Sequence, residues 1–221
     1  MGDARKDASD LPEAPDTPDT PDTADRLLAA GRRLFSKGGF EGTSVRALTS
    51  AAEANLGAVT YHFETKEALY QAVLERVFGP VRDRVATLAQ APLPAPRRLE
   101  EFVRVMFQQQ QTQYDLTRFM AQEIVIGETP SPQVLETVRT VVGTLSQIMR
   151  EGQEEGTVVP GDPVLMALTL LSQPIYLSLM PRFLKRDDLR TAELPQPQDS
   201  AENHVLALLR NAFFVSQEKS E

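Results

Sequence analysis

The chain has 221 residues, 41% of them hydrophobic, and a net charge of −8, which allows one or two domains with a sizeable core. It has no cysteine, which excludes disulfides, thiol catalysis and thiolate metal sites, and two isolated histidines, His62 and His204, argue against a histidine-based metal site. The first residues lack the apolar core of a signal peptide, and no stretch is long and apolar enough to cross a membrane, so we expect a cytoplasmic protein.

Residues 1–23 are predicted to form a disordered acidic tail. They contain seven acidic and two basic residues and repeat Pro-Asp-Thr three times between Pro15 and Thr23. A segment with almost no apolar residues cannot bury enough surface to offset the entropy of folding. We interpret the tail as a linker that has no function of its own and that folding does not need. The alternative is that its negative charge repels non-specific DNA.

Two helices are predicted directly after the tail. Apolar residues at helical spacing predict a helix from about Ala24, and the Gly38-Gly39 pair ends it. Thr43 and Ser44 are both good N-cap residues, so a second and shorter helix should start after them.

A tight turn at residues 53–55 and a third short helix at about residues 56–62 follow. Two short helices joined by a tight turn are the outline of a helix-turn-helix, which places its second helix in the DNA major groove. Residues 24–78 carry seven bases and six acids, whereas the segments on either side are acidic. This balance permits DNA binding without a basic stripe, so phosphate contacts must come from a few placed side chains and backbone N–H groups.

The remaining residues are predicted to form a larger helical body. A fourth helix, capped by Thr65, should kink or split in two at Gly79-Pro80. Further helices should start at N-cap signals: Asp115, Ser131, Asp162, and Asp199 or Ser200. Nothing alternates with period two over a useful length, so the fold class is all-α.

The residues that carry a family resemblance lie between positions 24 and 78. They read LLAAGRRLFSKGGFEGTSVRAL, then AAEANLGAVTYHF, then KEALYQAVL. Over this range the chain resembles TetR-family transcriptional regulators, and beyond residue 80 the helical layout agrees. The resemblance implies a helix-turn-helix domain at residues 24–70, followed by a ligand-binding and dimerisation domain at residues 71–221.

One position departs from the family pattern. The turn of the family usually carries glycine, but this chain has Glu53 followed by Ala54. A left-handed backbone at Glu53 would cost about 1 kcal/mol relative to glycine, so the turn either bears this cost or is built differently. Thr60 also stands where an aromatic residue is common in the family.

The resemblance and the chemistry of the side chains give a candidate DNA-binding set. Tyr61, His62 and Lys66 are expected at phosphates, whereas small or polar residues at the start of the third helix could touch base edges. The alternatives are packing of Tyr61 between the first and fourth helices, a solvated Lys66, and a surface salt bridge for Arg46. The full set is Thr43, Ser44, Arg46, Asn55, Leu56, Gly57, Ala58, Thr60, Tyr61, His62 and Lys66.

A ligand pocket is expected inside the body, because the resemblance implies a cavity among its helices and Phe and Met suit a malleable apolar pocket. The nearby polar groups are mostly neutral amides, so the effector should be small, mainly apolar, and neutral or singly charged. Ordinary core packing is the alternative for each residue. The candidates are Phe102, Met106, Gln110, Tyr114, Arg118, Phe119, Gln122, Leu145 and Met149.

The last two helices carry more apolar surface than one contact can hide, which predicts a homodimer interface. The candidates are Leu165, Leu168, Leu171, Leu206, Leu209 and Phe213, with a purely internal core as the alternative. The expected partners are therefore a palindromic double-stranded DNA operator, a second copy of the chain and a small-molecule effector. No cofactor, metal or membrane is expected.

The sequence as a whole favours a ligand-responsive DNA-binding transcriptional regulator, namely a repressor that a small, mainly apolar molecule releases from its operator. A ligand-independent DNA binder or an activator is the first alternative. An enzyme with an incidental helix-turn-helix is the remote one, because the chain has no glycine-rich phosphate loop and no histidine–carboxylate constellation. We therefore expect a protein that is not an enzyme.

Overall fold

The computed structural model describes residues 21–112, 115–126, 130–184 and 198–215. Over these ranges the regular structure is helical, apart from one isolated antiparallel bridge between Val158 and Phe214. The all-α fold class is confirmed. The elements are α1 (Pro21–Gly38), α2 (Val45–Ala51), α3 (Ala58–Phe63), α4 (Lys66–Ala89), α5 (Ala95–Thr112), α6 (Leu116–Met120), a π-helical turn (Ala121–Ile126), α7 (Pro132–Glu154), α8 (Pro163–Leu184) and α9 (Gln198–Phe213).

The first helix begins earlier than the sequence predicts. It starts at Pro21 rather than near Ala24, so the predicted boundary of the tail at residue 23 falls inside α1. Thr23 is buried, and its hydroxyl accepts a hydrogen bond of 3.1 Å from Arg26 Nη2. The last residues assigned to a dispensable tail therefore belong to the folded protein. The other predictions for the tail concern residues 1–20, which lie outside the described residues.

The head consists of α1, α2, α3 and the start of α4. α2 begins as predicted, because the Ser44 hydroxyl accepts a hydrogen bond of 3.1 Å from the N–H of Ala47. Thr43 is not a second cap, since its hydroxyl donates to the carbonyl of Gly39 at 2.8 Å. The four elements share one apolar core that contains the fully buried Leu27, Phe35, Leu48, Val59 and Leu69.

α4 runs from the head into the body as one helix, so the predicted split at Gly79-Pro80 does not occur. Proline lacks an N–H and so removes one helical hydrogen bond. Val77, Phe78 and Val81, on either side of the proline, are all buried in the core. Their burial on both sides of the proline keeps the helix continuous.

The body is organised around α7, which packs against α4, α5 and α8. α9 lies against α5 and α8, and its end is tied back to the α7–α8 loop. There the N–H of Val159 donates to the carbonyl of Phe213 at 2.9 Å, and the N–H of Val215 donates to Thr157 at 3.1 Å. None of the helices that the structure describes is long and apolar enough to cross a membrane.

The N-caps predicted for the four helices α6 to α9 have different outcomes. Asp162 caps α8, since its Oδ1 accepts hydrogen bonds from the N–H groups of Val164 at 2.8 Å and Leu165 at 3.1 Å. Asp115 and Ser131 occupy N-cap positions of α6 and α7 but make no capping hydrogen bond through their side chains. α9 begins at Gln198, before the predicted caps Asp199 and Ser200.

A buried carboxylate joins α5 to α9. The Glu100 side chain, only 5% exposed, accepts hydrogen bonds from Arg210 at 2.7 Å and Arg97 at 3.0 Å. Burial alone would raise the pKa of the Glu100 carboxyl, but these hydrogen bonds outweigh it and hold the pKa below its ordinary value. Folding is therefore favoured by the ionised carboxylate.

We expect Glu100→Gln to lower the free energy of unfolding at pH 7 by about 1–3 kcal/mol, because arginine N–H groups lose a charged acceptor. A group whose pKa is lowered by folding stabilises the protein above its unfolded-state pKa and loses this effect as the pH falls. The deficit of the variant should therefore shrink in urea unfolding at about pH 3.5. Glu101→Gln, at a half-exposed neighbour, is the matched control. Equal deficits in both variants, or a deficit independent of pH, would contradict this.

Candidate nucleic-acid interface

The turn between α2 and α3 has the left-handed backbone that the family pattern requires. Glu53 adopts φ 52°, although it carries a side chain where glycine is usual. Backbone hydrogen bonds close the turn, from Ala54 N–H to the Thr49 carbonyl at 2.9 Å and from Ala58 N–H to the Asn55 carbonyl at 3.0 Å. The turn therefore keeps its shape and bears the conformational cost of about 1 kcal/mol at Glu53.

Two arginines of α1 hold the end of α2 beside this turn. Arg26 Nε donates to the carbonyl of Ala52 at 3.0 Å, and Arg33 Nη2 approaches the carbonyl of Ala51 at 3.4 Å. Basic side chains at the last carbonyls of a helix satisfy acceptors that have no partner within the helix. We did not predict these contacts from the sequence. Arg26 and Arg33 are seven residues apart, however, and this spacing places both on one face of α1.

The loop before α3 and the end of α3 project from the head. Tyr61 is 72% exposed and Leu56 is 65% exposed, so the alternative that Tyr61 packs between helices is wrong. The Tyr61 ring meets the His62 ring edge-on, with centroids 5.0 Å apart. The other exposed candidates are Ser44, Arg46, Asn55, Gly57 and Thr60. We call the set Ser44, Arg46, Asn55, Leu56, Gly57, Thr60, Tyr61 and His62 the α2–α3 surface.

Two candidates lie inside the head instead. α3 begins at Ala58 rather than at Leu56, and this places Ala58 and Val59 on its buried face. Ala58 is 4% exposed, so it packs in the core, as does Val59, which the sequence already assigned to the interior. Thr43 is also buried, with its hydroxyl bonded to Gly39. Ala58 and Thr43 therefore leave the candidate set.

Lys66 is held by the protein itself. Its Nζ donates to the carbonyls of Phe40 and Thr43, both at 3.2 Å, and lies 4.1 Å from the centroid of the Phe40 ring. The ammonium thus joins the start of α4 to the loop between α1 and α2, through hydrogen bonds and a cation–π contact. These contacts give Lys66 a structural role that the sequence did not predict. They use two of the three ammonium N–H groups, so the phosphate contact expected from the sequence stays a prediction.

Helices of the body enclose a mainly apolar cavity. It has a volume of about 430 Å³, including its part open to solvent. Gln110, Thr117 and Thr137 are its polar side chains. The lining residues are Phe78, Val81, Met106, Gln110, Leu116, Thr117, Met120, Thr137, Val138, Val141, Leu171 and Ile175.

The predicted ligand residues are only partly at this cavity. Met106 and Gln110 line it, whereas four others do not and are fully buried core residues: Phe102, Phe119, Leu145 and Met149. Arg118 and Gln122 are half-buried beside it, and Gln122 Nε2 donates to the Ser36 carbonyl at 3.2 Å. Tyr114 lies outside the described residues. Helical spacing finds the apolar residues of a bundle but does not tell a cavity wall from a filled core.

The predicted dimer residues also divide into two groups. Leu165 and Leu168 are 63% and 44% exposed on α8. Four others are buried within the single chain, and for these the alternative of an internal core is correct: Leu171, Leu206, Leu209 and Phe213. Val164 and Tyr176, which the sequence did not single out, are exposed on α8 as well. α8 therefore presents an apolar face outward, whereas all three predicted α9 residues are buried inside the chain.

Comparisons with known proteins agree with this arrangement. Residues 27–73 match the model of the family described as bacterial regulatory proteins, tetR family. The HTH-type transcriptional repressor DhaR of Mycobacterium sp. (strain GP1) is 28% identical over 134 residues, which are 60% of this chain and 68% of DhaR. Reduced E. coli NemR has a TM-score of 0.65 at 23% identity, over 89% of this chain and 100% of NemR. AibR, crystallised with isovaleryl coenzyme A and operator DNA, has a TM-score of 0.67 at 15% identity, over 84% of this chain and 97% of AibR.

A helix-turn-helix head on a larger helical body defines a DNA-binding regulator of transcription. Residues 27–73 match the DNA-binding head of the tetR family, and the chain is similar to transcriptional regulators over a longer range. Within the described residues, no group of three or more His, Asp or Glu side chains comes together in a way that could hold a metal ion.

We expect Tyr61→Ala and Lys66→Ala to weaken DNA binding for different reasons. Tyr61 is exposed, so its loss should weaken binding at least fivefold with an unchanged melting temperature. Lys66 connects two elements of the head, so its loss should lower the melting temperature by several degrees and weaken binding as a consequence. Fluorescence anisotropy on a duplex selected from a random library, combined with calorimetry, separates the two. An unchanged melting temperature in Lys66→Ala would contradict the structural role of this lysine.

Proposed function

We propose that this protein is a homodimeric transcriptional repressor that a small, mainly apolar molecule releases from a palindromic operator. The observation that carries the proposal is the exposed α2–α3 surface on a rigidly packed head. An exposed tyrosine and an exposed leucine at the end of a helix-turn-helix have little structural purpose, because neither buries apolar area within the chain. If this surface enters the DNA major groove, both side chains contact the DNA.

The residues of the α2–α3 surface divide into two roles. Ser44, Arg46, Tyr61 and His62 would meet phosphates and fix the register of the head on the duplex. Asn55 and Thr60 can bond base edges, and Leu56 can touch a thymine methyl group. Gly57 has open space around its Cα, which allows close approach to the groove. Contacts of both kinds are needed, because phosphate contacts position a protein but do not read sequence.

The exposed face of α8 would form the dimer interface. Val164, Leu165, Leu168 and Tyr176 recur at helical spacing and are each at least 44% exposed. Leu208 on α9 is 39% exposed and adds to the apolar surface at this end of the body. A stable interface buries about 800 Å² per partner, which two such helices can supply. A two-fold axis between two heads would match a palindrome with half-sites about 34–36 Å apart or somewhat more.

The cavity in the body would hold the effector. Its lining is apolar apart from one amide and two hydroxyl groups, which suits a neutral molecule with one or two polar groups. AibR, of similar fold, was crystallised with isovaleryl coenzyme A and operator DNA, and this supports a regulator that holds both kinds of ligand. An effector larger than this cavity would have to push its walls apart.

The cytoplasmic location expected from the sequence fits a protein that binds chromosomal DNA.

Repression is favoured over activation because DhaR, 28% identical to this chain, is a repressor. An effector can change the affinity for DNA only by the difference in its own affinity for the two conformations. The ligand-independent alternative would leave the cavity without a purpose.

We expect Arg46→Ala to lower operator affinity and to reduce the salt dependence by about one counterion, because one phosphate contact is lost. The measurement is a titration of the selected duplex at several salt concentrations. Arg84→Ala is the matched control, since Arg84 is an exposed arginine of the body. If both variants keep the wild-type salt slope, Arg46 does not contact phosphate.

We expect Leu165→Lys to convert the dimer into a monomer of about half the mass, because a charge would be buried at the centre of the apolar face of α8. Leu135→Lys is the control: Leu135 is 44% exposed, but on α7. Light scattering at micromolar concentration measures the mass of each variant. A monomeric wild type, or a Leu135→Lys variant that dissociates equally, would show that α8 is not the interface.

A further inference from the structure

We propose that the operator base pairs facing α3 are A·T pairs, and that Leu56 recognises thymine through its methyl group. This inference rests on the proposed DNA-binding function and deepens it, because it assigns the base composition of the half-site. It follows from the exposed side chains around α3 and from the charges that this part of the surface lacks.

One face of α3 points away from the core of the head. Ala58 and Val59 are buried, whereas Gly57, Thr60 and Tyr61 are exposed. Thr60 and Tyr61 follow Gly57 by three and four residues, so all three lie on the same side of the helix. A Cβ atom at Gly57 would have no neighbour within 4 Å. The face is therefore open at Gly57, where bases can come close to the backbone.

Leu56 adds an apolar side chain at the start of this face. It directly precedes Gly57, and its side chain is 65% exposed. An apolar side chain gains free energy where it leaves water, so a leucine that enters the major groove requires an apolar group there. Among the base edges in the major groove, the C5 methyl group of thymine is the apolar group. A leucine at this position therefore favours thymine in the base pair that it meets.

The charges around α3 disfavour guanine. Arginine and lysine pair with the O6 and N7 acceptors of guanine, and this is the commonest specific contact to DNA bases. From Glu53 to Glu64 the sequence has neither arginine nor lysine. Both glutamates are exposed, and an ionised carboxylate accepts hydrogen bonds but donates none. The helix that faces the bases thus lacks the side chains that guanine would require.

The polar side chains near Leu56 suit adenine and thymine. Asn55 and Thr60 are exposed. An asparagine amide can donate to N7 and accept from N6 of adenine, whereas guanine has an acceptor at the position of N6. The methyl group of Thr60 can meet a second thymine. Arg46 lies on α2 and remains the proposed phosphate contact. A·T pairs therefore satisfy the leucine, the amide and the threonine together.

Replacement of thymine by deoxyuridine tests this inference, because it removes only the methyl group. A duplex is first selected from a random library with the wild-type chain. Each thymine is then replaced in turn, in both half-sites, and the affinity is measured by fluorescence anisotropy. Leu56→Ala is measured on the same duplexes. Leu135→Ala is the control, since Leu135 is also an exposed leucine, at 44%, but lies on α7.

We expect deoxyuridine at one thymine of the half-site to weaken wild-type binding about fourfold per half-site, as the loss of one buried methyl group should. The loss should be the same in Leu135→Ala, but less than about 1.5-fold in Leu56→Ala, because the leucine that meets the methyl group is absent. Calorimetry checks that each variant is folded. The deoxyuridine series with the wild type needs no variant, so the inference stays testable if Leu56→Ala does not fold.

Two kinds of failure are distinguishable. Deoxyuridine without effect at every thymine, an unchanged loss in Leu56→Ala, or a selected half-site made of G·C pairs would overturn this inference and leave the proposed DNA-binding function intact. Failure of the wild type to select any duplex would instead refute the proposed function and remove the basis of the inference.

Discussion

The position of α3 depends entirely on tertiary packing. A helix of six residues has no stability of its own in water, so α3 exists only because Ala58 and Val59 are buried against the rest of the head. α1 fixes the preceding helix through the arginine contacts to its last carbonyls, and Lys66 fixes the start of the following one. Every DNA contact that we propose requires this packing, because Tyr61 and Leu56 are exposed only if the opposite side of the motif is buried.

Tertiary packing also fixes the position of the head relative to the body. α4 belongs to both parts, since its first turns pack in the head, whereas Phe78 and Val81 near its middle line the cavity. The Tyr70 hydroxyl of α4 also donates a hydrogen bond of 2.6 Å to Glu123 Oε1 of the π-helical turn, which adds a second connection between head and body. Head and body are therefore coupled by packing and by a few polar contacts, and no flexible linker separates them.

Sequence patterns predicted the all-α fold, the helix-turn-helix and the Ser44 cap, because each depends on residues close together in the chain. They failed where the outcome depends on distant partners. The sequence assigned Asp115 to a helix cap, but in the fold its carboxylate accepts a hydrogen bond of 3.0 Å from Arg32 of α1 instead. Helical spacing marks Leu206 and Leu209 as apolar without showing which face of α9 is covered. Identical local signals thus lead to different roles, and only the packing of the chain distinguishes them.

The central claim is that the α2–α3 surface enters the DNA groove. Hydrogen–deuterium exchange of the full chain, with and without the selected duplex, tests this most directly. We expect DNA to slow the exchange of amide hydrogens in the peptides that cover residues 44–46 and 55–62, with little change in the peptides of α8. Protection confined to the body, or no protection of the helix-turn-helix at saturating DNA, would contradict it.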